Sequence, residues 1–144
     1  MTGFRQLSYQ LATAAFGLAV LLPLAGCSEF TYVPVKGKVT LKNKQPVTFG
    51  TVVFVPDKDN KLKKLAQGTI NPDGTYELTT EGKGGVPIGS YIVCVRGPMR
   101  KVNGKEPPPL PFSMKYFDAN ESPLKIEVVA DPAPGAYDLE LAGN

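Results

Sequence analysis

Short alternating segments separated by Pro and Gly most strongly constrain how this chain folds. In residues 35–41 the apolar or small residues alternate with Lys and Thr, the period of a strand with one buried face. Residues 51–55 are a continuous β-branched and aromatic run ended by Pro56, typical of a strand covered on both faces. No stretch after Cys27 shows a sustained helical period. The pattern therefore predicts strands and turns.

Further strands are predicted over 65–70, 75–79, 89–96, 124–128 and 137–141. Between two of them, Pro72 presets φ and Gly74 accepts positive φ, which predicts a hairpin turn. Seven short strands predict an all-β fold, a seven-stranded antiparallel β-sandwich. The predicted core is Val35, Val39, Leu41, Val52, Phe54, Tyr76, Leu78, Tyr91, Val93, Ile126, Val128 and Leu139. Pro-rich 106–111 is expected to be an extended crossing between sheets, with a recognised polyproline segment as the alternative.

The N-terminus carries an apolar run from Leu11 to Leu24, with Arg5 before it and no acidic residue before Glu29. A charged start, an apolar stretch and small residues at the end predict a secretory signal peptide over residues 1–26. A retained transmembrane helix is one alternative, but the run is shorter than the roughly 20 residues needed to span a bilayer. A signal peptide cut before an unmodified Cys27 is the other.

The end of this segment, Leu24-Ala25-Gly26-Cys27, resembles the bacterial lipobox. The resemblance implies that Cys27 is lipidated and becomes the first residue of the mature chain. Each buried methylene adds about 0.8 kcal/mol, so several acyl chains make a firm anchor. Residues 27–32 then form the lipidated cysteine and a short tether, and residues 33–144 the β-sandwich. The expected location is the bacterial cell envelope, on the outer rather than the inner membrane.

The charge balance and the number of cysteines limit which partners and which disulfide bonds are possible. Without Arg5, 15 of the 16 basic residues remain against 13 acidic ones, which gives no support to nucleic-acid binding. The chain has two cysteines, so with Cys27 lipidated Cys94 has no partner in the same chain. We expect Cys94 to be a small buried hydrophobe, covered on the face opposite Tyr91, Val93 and Val95. Pairing between chains is the alternative.

Several segments, in their order along the chain, carry a family resemblance. Residues 37–41, 46–47 and 53–56, then 71–78 and 89–95, resemble a carboxypeptidase regulatory-like domain, a transthyretin-like β-sandwich. The run 107–111, followed by 115–117 and 122–124, is similar to the tail of many small bacterial lipoproteins. The resemblance covers roughly residues 33–141, and it implies a fold and an accessory or structural role without an activity.

Catalytic and metal motifs are missing from the sequence. The chain has no histidine, which excludes Ser-His-Asp and Cys-His catalysis and every zinc site that needs histidine. The same absence argues against the transthyretin-related hydrolases, which resemble this fold but depend on histidine. Two cysteines cannot build a Cys-rich metal site, and no phosphate-binding Gly-rich loop is present. We predict a protein that is not an enzyme and has no cofactor.

Two polar clusters have competing interpretations. Residues 57–60, Asp-Lys-Asp-Asn, space oxygen ligands as calcium loops do, but the surrounding lysines favour a solvated hairpin tip. Basic residues in two loops are expected either to form one rim for anionic polymer or headgroups or to lie in separate solvated loops. They are Lys58, Lys61, Lys63, Lys64, Arg96, Arg100, Lys101 and Lys105.

The sequence thus predicts a lipid-anchored structural or interaction module. Its expected partners are the membrane, through the anchor, and an envelope protein or polysaccharide. The alternative is a carbohydrate-binding module, with Tyr32, Phe112, Tyr116 and Phe117 as the ligand-facing rings. The absence of Trp argues against that alternative, because Trp offers the broadest stacking surface.

Overall fold

The computed structural model describes residues 30–101 and 103–144, and this part of the chain is all-β. The predicted signal segment 1–26 and Cys27 lie outside the described residues. The strands are β1 (Tyr32–Val33), β2 (Lys36–Leu41), β3 (Thr51–Pro56), β4 (Ala66–Thr69), β5 (Thr75–Glu77), β6 (Thr79–Thr80), β7 (Lys83–Gly84), β8 (Val86–Pro87), β9 (Gly89–Arg96), β10 (Lys125–Val128) and β11 (Leu139–Leu141). A short 3₁₀ helix covers Met114–Phe117. No helix in residues 30–101 or 103–144 is long and apolar enough to cross a membrane.

The strands form three sheets. The largest has the order β10-β9-β3-β4-β6-β7, the second has the order β11-β2-β5, and β1 pairs with β8 in a two-stranded sheet. In the largest sheet β3 pairs with β9 from Thr51↔Arg96 to Pro56↔Tyr91. Loops that follow Pro56 or precede β9 therefore leave at one end of this sheet, which we name the proximal end. Loops that follow Arg96 or precede Thr51 leave at the opposite, distal end.

One continuous hydrophobic cluster joins all three sheets. Its members include Val33 and Val86 of the two-stranded sheet, Val39 of the second sheet, and Phe54 and Val93 of the largest. Burial of apolar surface of this kind is the main stabilising contribution to a fold, at about 25 cal/mol per Å². Eleven of the twelve predicted core residues are buried, and Ile126 is half-buried. Ile126 is less enclosed because β10 is an edge strand of its sheet.

Each of the seven predicted segments contains a strand, and four two-residue strands add to them. The expectation of purely antiparallel pairing is wrong at one place, because β11 runs parallel to β2 with Leu139 opposite Val39. The physical reason is the connection that precedes β11. Residues 129–138 cross from the largest sheet to the second, through turns closed by Ala136 N–H to the Ala133 carbonyl and by Asp138 N–H to the Gly135 carbonyl. No hairpin links β11 to β2, so nothing local imposes the antiparallel direction.

The Pro-rich segment 106–111 forms no strand. It leads to Phe112, which bridges Gly143 just beyond β11, so the segment carries the chain from the largest sheet toward the second. Leu110 packs against the core and lies directly on Gly97, where an added Cβ would come 2.2 Å from the Leu110 Cδ2 atom. The segment lacks strand structure, as the sequence predicts, and is fixed at one point by an apolar contact. The expectation that it crosses between sheets is wrong, because the chain returns at β10 to the largest sheet that it left at β9.

Candidate interaction surface at the proximal end

The described chain begins at the proximal end of the largest sheet. Tyr32 and Val33 pair with Pro87 and Val86, and the Ile88 N–H donates to the Thr31 carbonyl at 3.4 Å. Since β9 begins at Gly89, directly after Ile88, Phe30 and Thr31 lie beside the start of β9. Among the described residues, strand structure thus begins at Tyr32, one residue earlier than the sequence predicts.

A loop over residues 57–64 forms the other side of this end, and Asn60 holds it in shape. The Asn60 side chain is 2% exposed. Its amide donates to the Ser90 carbonyl at 3.1 Å, and its oxygen accepts from the N–H groups of Leu62 and Lys63 at 3.1 and 3.3 Å. The Asp57 N–H also donates to the Ser90 carbonyl, at 3.0 Å. The loop is therefore attached to β9 through a buried amide.

The close approach of this loop requires a glycine at position 89. Gly89 has φ +146°, and a Cβ added there would lie 2.8 Å from the Asn60 Nδ2 atom. A residue other than glycine would be strained in this backbone conformation and would also push the buried amide away. The sequence Ile88-Gly89 therefore places an exposed apolar side chain immediately before a position where the loop contacts the strand.

Between the loop and the first described residues lies an open cleft of about 410 Å³. Its apolar wall consists of Phe30, Leu62 and Ile88, of which Phe30 is 50% and Ile88 43% exposed. Its polar rim includes Lys61 and Glu127. The Ser90 hydroxyl donates to the Glu127 carboxylate at 2.5 Å. The cleft is thus an apolar surface with charged groups at its edge.

The charges of the loop are partly compensated. Asp57 accepts a hydrogen bond from the Lys58 N–H at 2.7 Å and pairs with Lys125 at 3.4 Å. The backbone hydrogen bond, with help from Lys125, lowers the pKa of the Asp57 carboxyl. Lys64 pairs with Glu81 at 2.5 Å, and that hydrogen bond raises the pKa of the Lys64 ammonium.

The remaining lysines of the loop keep an uncompensated charge. Within the described ranges no carboxylate lies in salt-bridge distance of Lys58, Lys61 or Lys63. The Lys63 ammonium instead donates to the carbonyl oxygens of Asp57, at 2.8 Å, and Lys58. These three side chains give the loop a positive outer face.

The hydrogen bonds and ion pairs of residues 57–60 give no support to a calcium site there. The Asn60 side chain already bonds to backbone groups through both its nitrogen and its oxygen, and the Asp57 carboxylate pairs with Lys125. In the part of the chain that the structure describes, no three side chains of the metal-ligating types gather. The segment has the arrangement of the solvated hairpin tip, which was the other interpretation.

The basic residues of the two loops lie at opposite ends of the sheet. The loop from Lys58 to Lys64 follows Pro56 at the proximal end, whereas Arg100, Lys101 and Lys105 follow Arg96 at the distal end. The eight residues of β9 separate the two ends by about 23 Å at 3.3 Å per residue. Arg96 itself donates to the Phe117 carbonyl at 3.0 Å, and Lys101 pairs with Glu106 at 2.5 Å. The structure contains two separate basic loops and no single rim.

The four candidate sugar-stacking residues do not form one face. Phe112 is 0% and Tyr116 3% exposed, and their rings pack edge-to-face with centroids 6.4 Å apart. These two rings belong to the core, which corrects the expectation that they face a ligand. Tyr32 and Phe117 are half-buried and lie apart, Tyr32 at the proximal end and Phe117 beside Arg96.

Phe112 and Tyr116 are buried because the chain turns inward after the Pro-rich segment 106–111. The Ala142 N–H donates to the Tyr116 hydroxyl at 2.8 Å, which ties the 3₁₀ helix to the chain that follows β11. The Phe112–Gly143 bridge ties the same regions together. Neither contact leaves a periodic signal in the sequence.

Cys94 is fully buried on the face of β9 that is opposite the main cluster. It lies across from Val53 of β3, and the 3₁₀ helix packs on the same strand. The following loop is anchored there by the Ser122 hydroxyl, which donates to the Val93 carbonyl at 2.5 Å. Burial raises the pKa of the Cys94 thiol. The sequence predicts such a cover over the face of β9 that carries Cys94.

Phe30 and Ile88 are the apolar residues of this surface that sequence reasoning missed. Each stands singly among polar or small neighbours, and scattered apolar residues on a surface carry no signal by themselves. Only the pairing of β1 with β8 brings them together. Comparison of the chain with protein-family models, curated proteins and solved structures gives no match.

Proposed function

We propose that the chain is a non-enzymatic, lipid-anchored lipoprotein of the bacterial cell envelope whose β domain is a structural or interaction module. The observation that carries this proposal is the lipobox-like Leu24-Ala25-Gly26-Cys27, which directly precedes an all-β domain with strand structure from Tyr32 onward. Cys27 is the proposed lipidated residue, and residues 1–26 the segment removed. The outer membrane is the proposed location.

For the domain itself we propose a carboxypeptidase regulatory-like, transthyretin-like β-sandwich. Two features of the described residues support it. The two larger sheets contribute to one hydrophobic cluster, as the two layers of a sandwich do. The Asn71–Gly74 turn joins strands of different sheets, since β4 lies in the largest sheet and β5 in the second. The expectation of a hairpin at this turn is therefore wrong, because β5 pairs with β2 and not with β4. Such a switch between sheets is a common connection in sandwiches.

The hydrogen bonds of the buried polar side chains support the proposal that the protein is not an enzyme. Asn60, Thr80 and Ser122 are the buried polar residues of the described chain. Each side chain donates a hydrogen bond to a backbone carbonyl, of Ser90, Gly85 and Val93 respectively. These groups stabilise loops, and the chain has no histidine to act as a base.

Carbohydrate binding is the alternative, and the positions of its four candidate rings argue against it. Only Tyr32 and Phe117 of its four rings have exposed surface, and they lie at opposite ends of the largest sheet. A flat stacking platform needs adjacent rings. A glycan array probed with the purified domain separates the two proposals, because an interaction module for proteins gives no reproducible glycan signal.

The decisive experiment concerns the N-terminus. Cys27→Ser is expected to abolish labelling by a radioactive or clickable fatty acid and to release the protein into the soluble fraction. Cys94→Ala is the matched control, since the chain has only these two cysteines, and it should stay labelled and membrane-bound. Mass spectrometry of the mature protein should show an acylated residue 27 as the first residue. An unmodified start at any other residue, or retained label in Cys27→Ser, contradicts the proposal.

A further inference from the structure

Exposed apolar side chains concentrate at the proximal end of the largest sheet. The large hydrophobic residues that are exposed in the described chain are Phe30, Leu65, Ile88, Met99, Met114 and Val129. Four of these six lie at the proximal end: Ile88 precedes β9, Leu65 precedes β4 opposite the end of β3, Val129 follows β10, and Phe30 lies beside Ile88. Single exposed hydrophobic residues are ordinary, but these four share one end of the sheet, and together we name them the proximal patch.

The patch has a defined extent. Val129, Ile88 and Leu65 directly flank β10, β9 and β4, which with β3 are neighbouring strands of the largest sheet. Adjacent strands lie about 4.8 Å apart, so the patch is about 15 Å wide along the sheet end. Lys58, Lys61 and Lys63 of the 57–64 loop lie at the same end and lack carboxylate partners among the described residues. Asp59 and Glu127 are the acidic residues that line the cleft.

The position of Phe30, close to Cys27 in the sequence, indicates what covers this patch. Cys27 precedes Phe30 by three residues, which span at most about 11 Å when fully extended. A lipid attached at Cys27 therefore holds Phe30 within about 11 Å of the membrane surface. Ile88 lies beside Phe30, so it is at most about the width of one side chain farther away. The distal end lies about 23 Å farther along β9 and reaches the membrane surface only if the sheet lies flat on it.

We propose that the proximal patch is a membrane-docking surface. Phe30, Leu65, Ile88 and Val129 contact the interfacial region of the bilayer, and Lys58, Lys61 and Lys63 contact anionic phospholipid headgroups. Aromatic and aliphatic side chains flanked by lysine are the combination that binds bilayer interfaces. This proposal rests on the proposed lipid anchor at Cys27, and it adds that the folded domain itself binds the same bilayer in one orientation.

The test uses the absence of Trp from the chain, which makes any introduced Trp the sole reporter. The lipidated mature protein carrying Ile88→Trp is inserted into vesicles of phosphatidylethanolamine, phosphatidylglycerol and brominated phosphatidylcholine. We expect a blue-shifted emission that is quenched by the brominated lipid. Met99→Trp, at an exposed residue of the distal loop, is the matched control and should show neither effect. Val129→Trp provides a second proximal reporter should the Ile88 variant fold poorly.

A charge reversal separates docking from anchoring. Lys58→Glu together with Lys61→Glu should reduce quenching of the Trp at position 88, while Arg100→Glu with Lys105→Glu should leave it unchanged. Flotation of the vesicles and the mass of the N-terminus are measured on the same samples. Protein that floats with an acylated Cys27 but shows no quenching at positions 88 and 129 overturns the docking proposal alone.

Three other outcomes would overturn the docking proposal or assign the patch to a different partner. An unmodified N-terminus and loss of flotation overturn the anchor and, with it, the docking proposal. Cross-linking of two copies through position 88 without quenching assigns the patch to self-association instead. A change of the Trp emission on adding soluble polysaccharide, with none on adding vesicles, assigns it to glycan binding.

Discussion

At the scale of single residues, Tyr76 couples the protonation of a side chain to the stability of the fold. Its side chain is 2% exposed, and its hydroxyl donates to the Tyr137 carbonyl. Burial, followed by the charge of Asp138, raises the pKa of Tyr76 well above its ordinary value of 10.0. An unfolded tyrosine ionises near pH 10. The raised pKa therefore leaves stability unchanged below about pH 10 and lowers it progressively as the pH rises above that value.

Tyr76→Phe is expected to have opposite effects at neutral and alkaline pH. Near pH 7 the variant should lose about 1 kcal/mol in the free energy of unfolding, because the hydrogen bond to Tyr137 is gone. Above about pH 10 its stability should fall less steeply than that of the unsubstituted protein. Urea unfolding followed by circular dichroism at several pH values measures both. Parallel decline of the two proteins above pH 10 contradicts this role of Tyr76.

Cys94 provides a prediction about reactivity. Because its side chain is 0% exposed and burial raises the pKa of the thiol, little reactive thiolate is accessible at pH 8. In a Cys27→Ser background, a bulky maleimide should label Cys94 only as fast as the domain opens, and rapidly in urea. A cysteine introduced at exposed Thr31 should react at once. Rapid labelling of folded Cys94 would show that its cover is incomplete.

At the scale of elements, the last strand supports the whole second sheet. β11 pairs with β2, the central strand of that sheet, and places Leu139 and Leu141 in the core. Each buried leucine stabilises the fold by about 1.5–3 kcal/mol, against a total of about 5–15 kcal/mol. Removal of residues 138–144 should therefore abolish cooperative unfolding, as measured by circular dichroism during heating.

Removal of Asn144 alone is the matched control for that truncation. It costs one exposed hydrogen bond, from the Asn144 side chain to the Leu110 carbonyl, and should leave the transition almost unchanged. A cooperative transition that survives in the longer truncation would mean that the largest sheet and its cover fold without β11.

The elements that the sequence predicts are those with a local cause. Period-two alternation and turn residues mark the seven main strands, including 36–41 and 89–96. The two-residue strands β1, β6, β7 and β8 are too short to show a period, and they exist because neighbouring backbone pairs with them. The parallel direction of β11 and the burial of Phe112 depend on contacts between segments far apart in the chain. Tertiary contacts of this kind leave no trace in a sequence window.

At the scale of the whole molecule, the two ends of the largest sheet differ in character. The proximal end has the apolar patch, the loop held by Asn60 and the two-stranded sheet that begins at Tyr32. The distal end has the loop with Arg100, Lys101 and Lys105 and the Pro-rich segment 106–111. If the proximal end binds the membrane, the distal end points away from it.

Lengthening the tether tests this arrangement without altering the folded domain. A flexible insert of about ten Gly and Ser residues between Cys27 and Phe30 adds a root-mean-square length of about 17 Å. It should leave the unfolding transition unchanged, because strand structure starts only at Tyr32. Flotation should also persist, since the anchor is intact.

Contact between the domain and the bilayer should weaken, because a longer tether lowers the effective concentration of the patch at the surface. The measurement is cross-linking of the folded domain to lipid headgroups, combined with quenching of a Trp at position 88. Both signals should decrease with insert length and more strongly at high salt, which screens the lysine contacts. Signals that are independent of insert length would show that the patch binds the bilayer tightly by itself. Their absence in the protein with its natural tether would rule out the membrane-docked orientation.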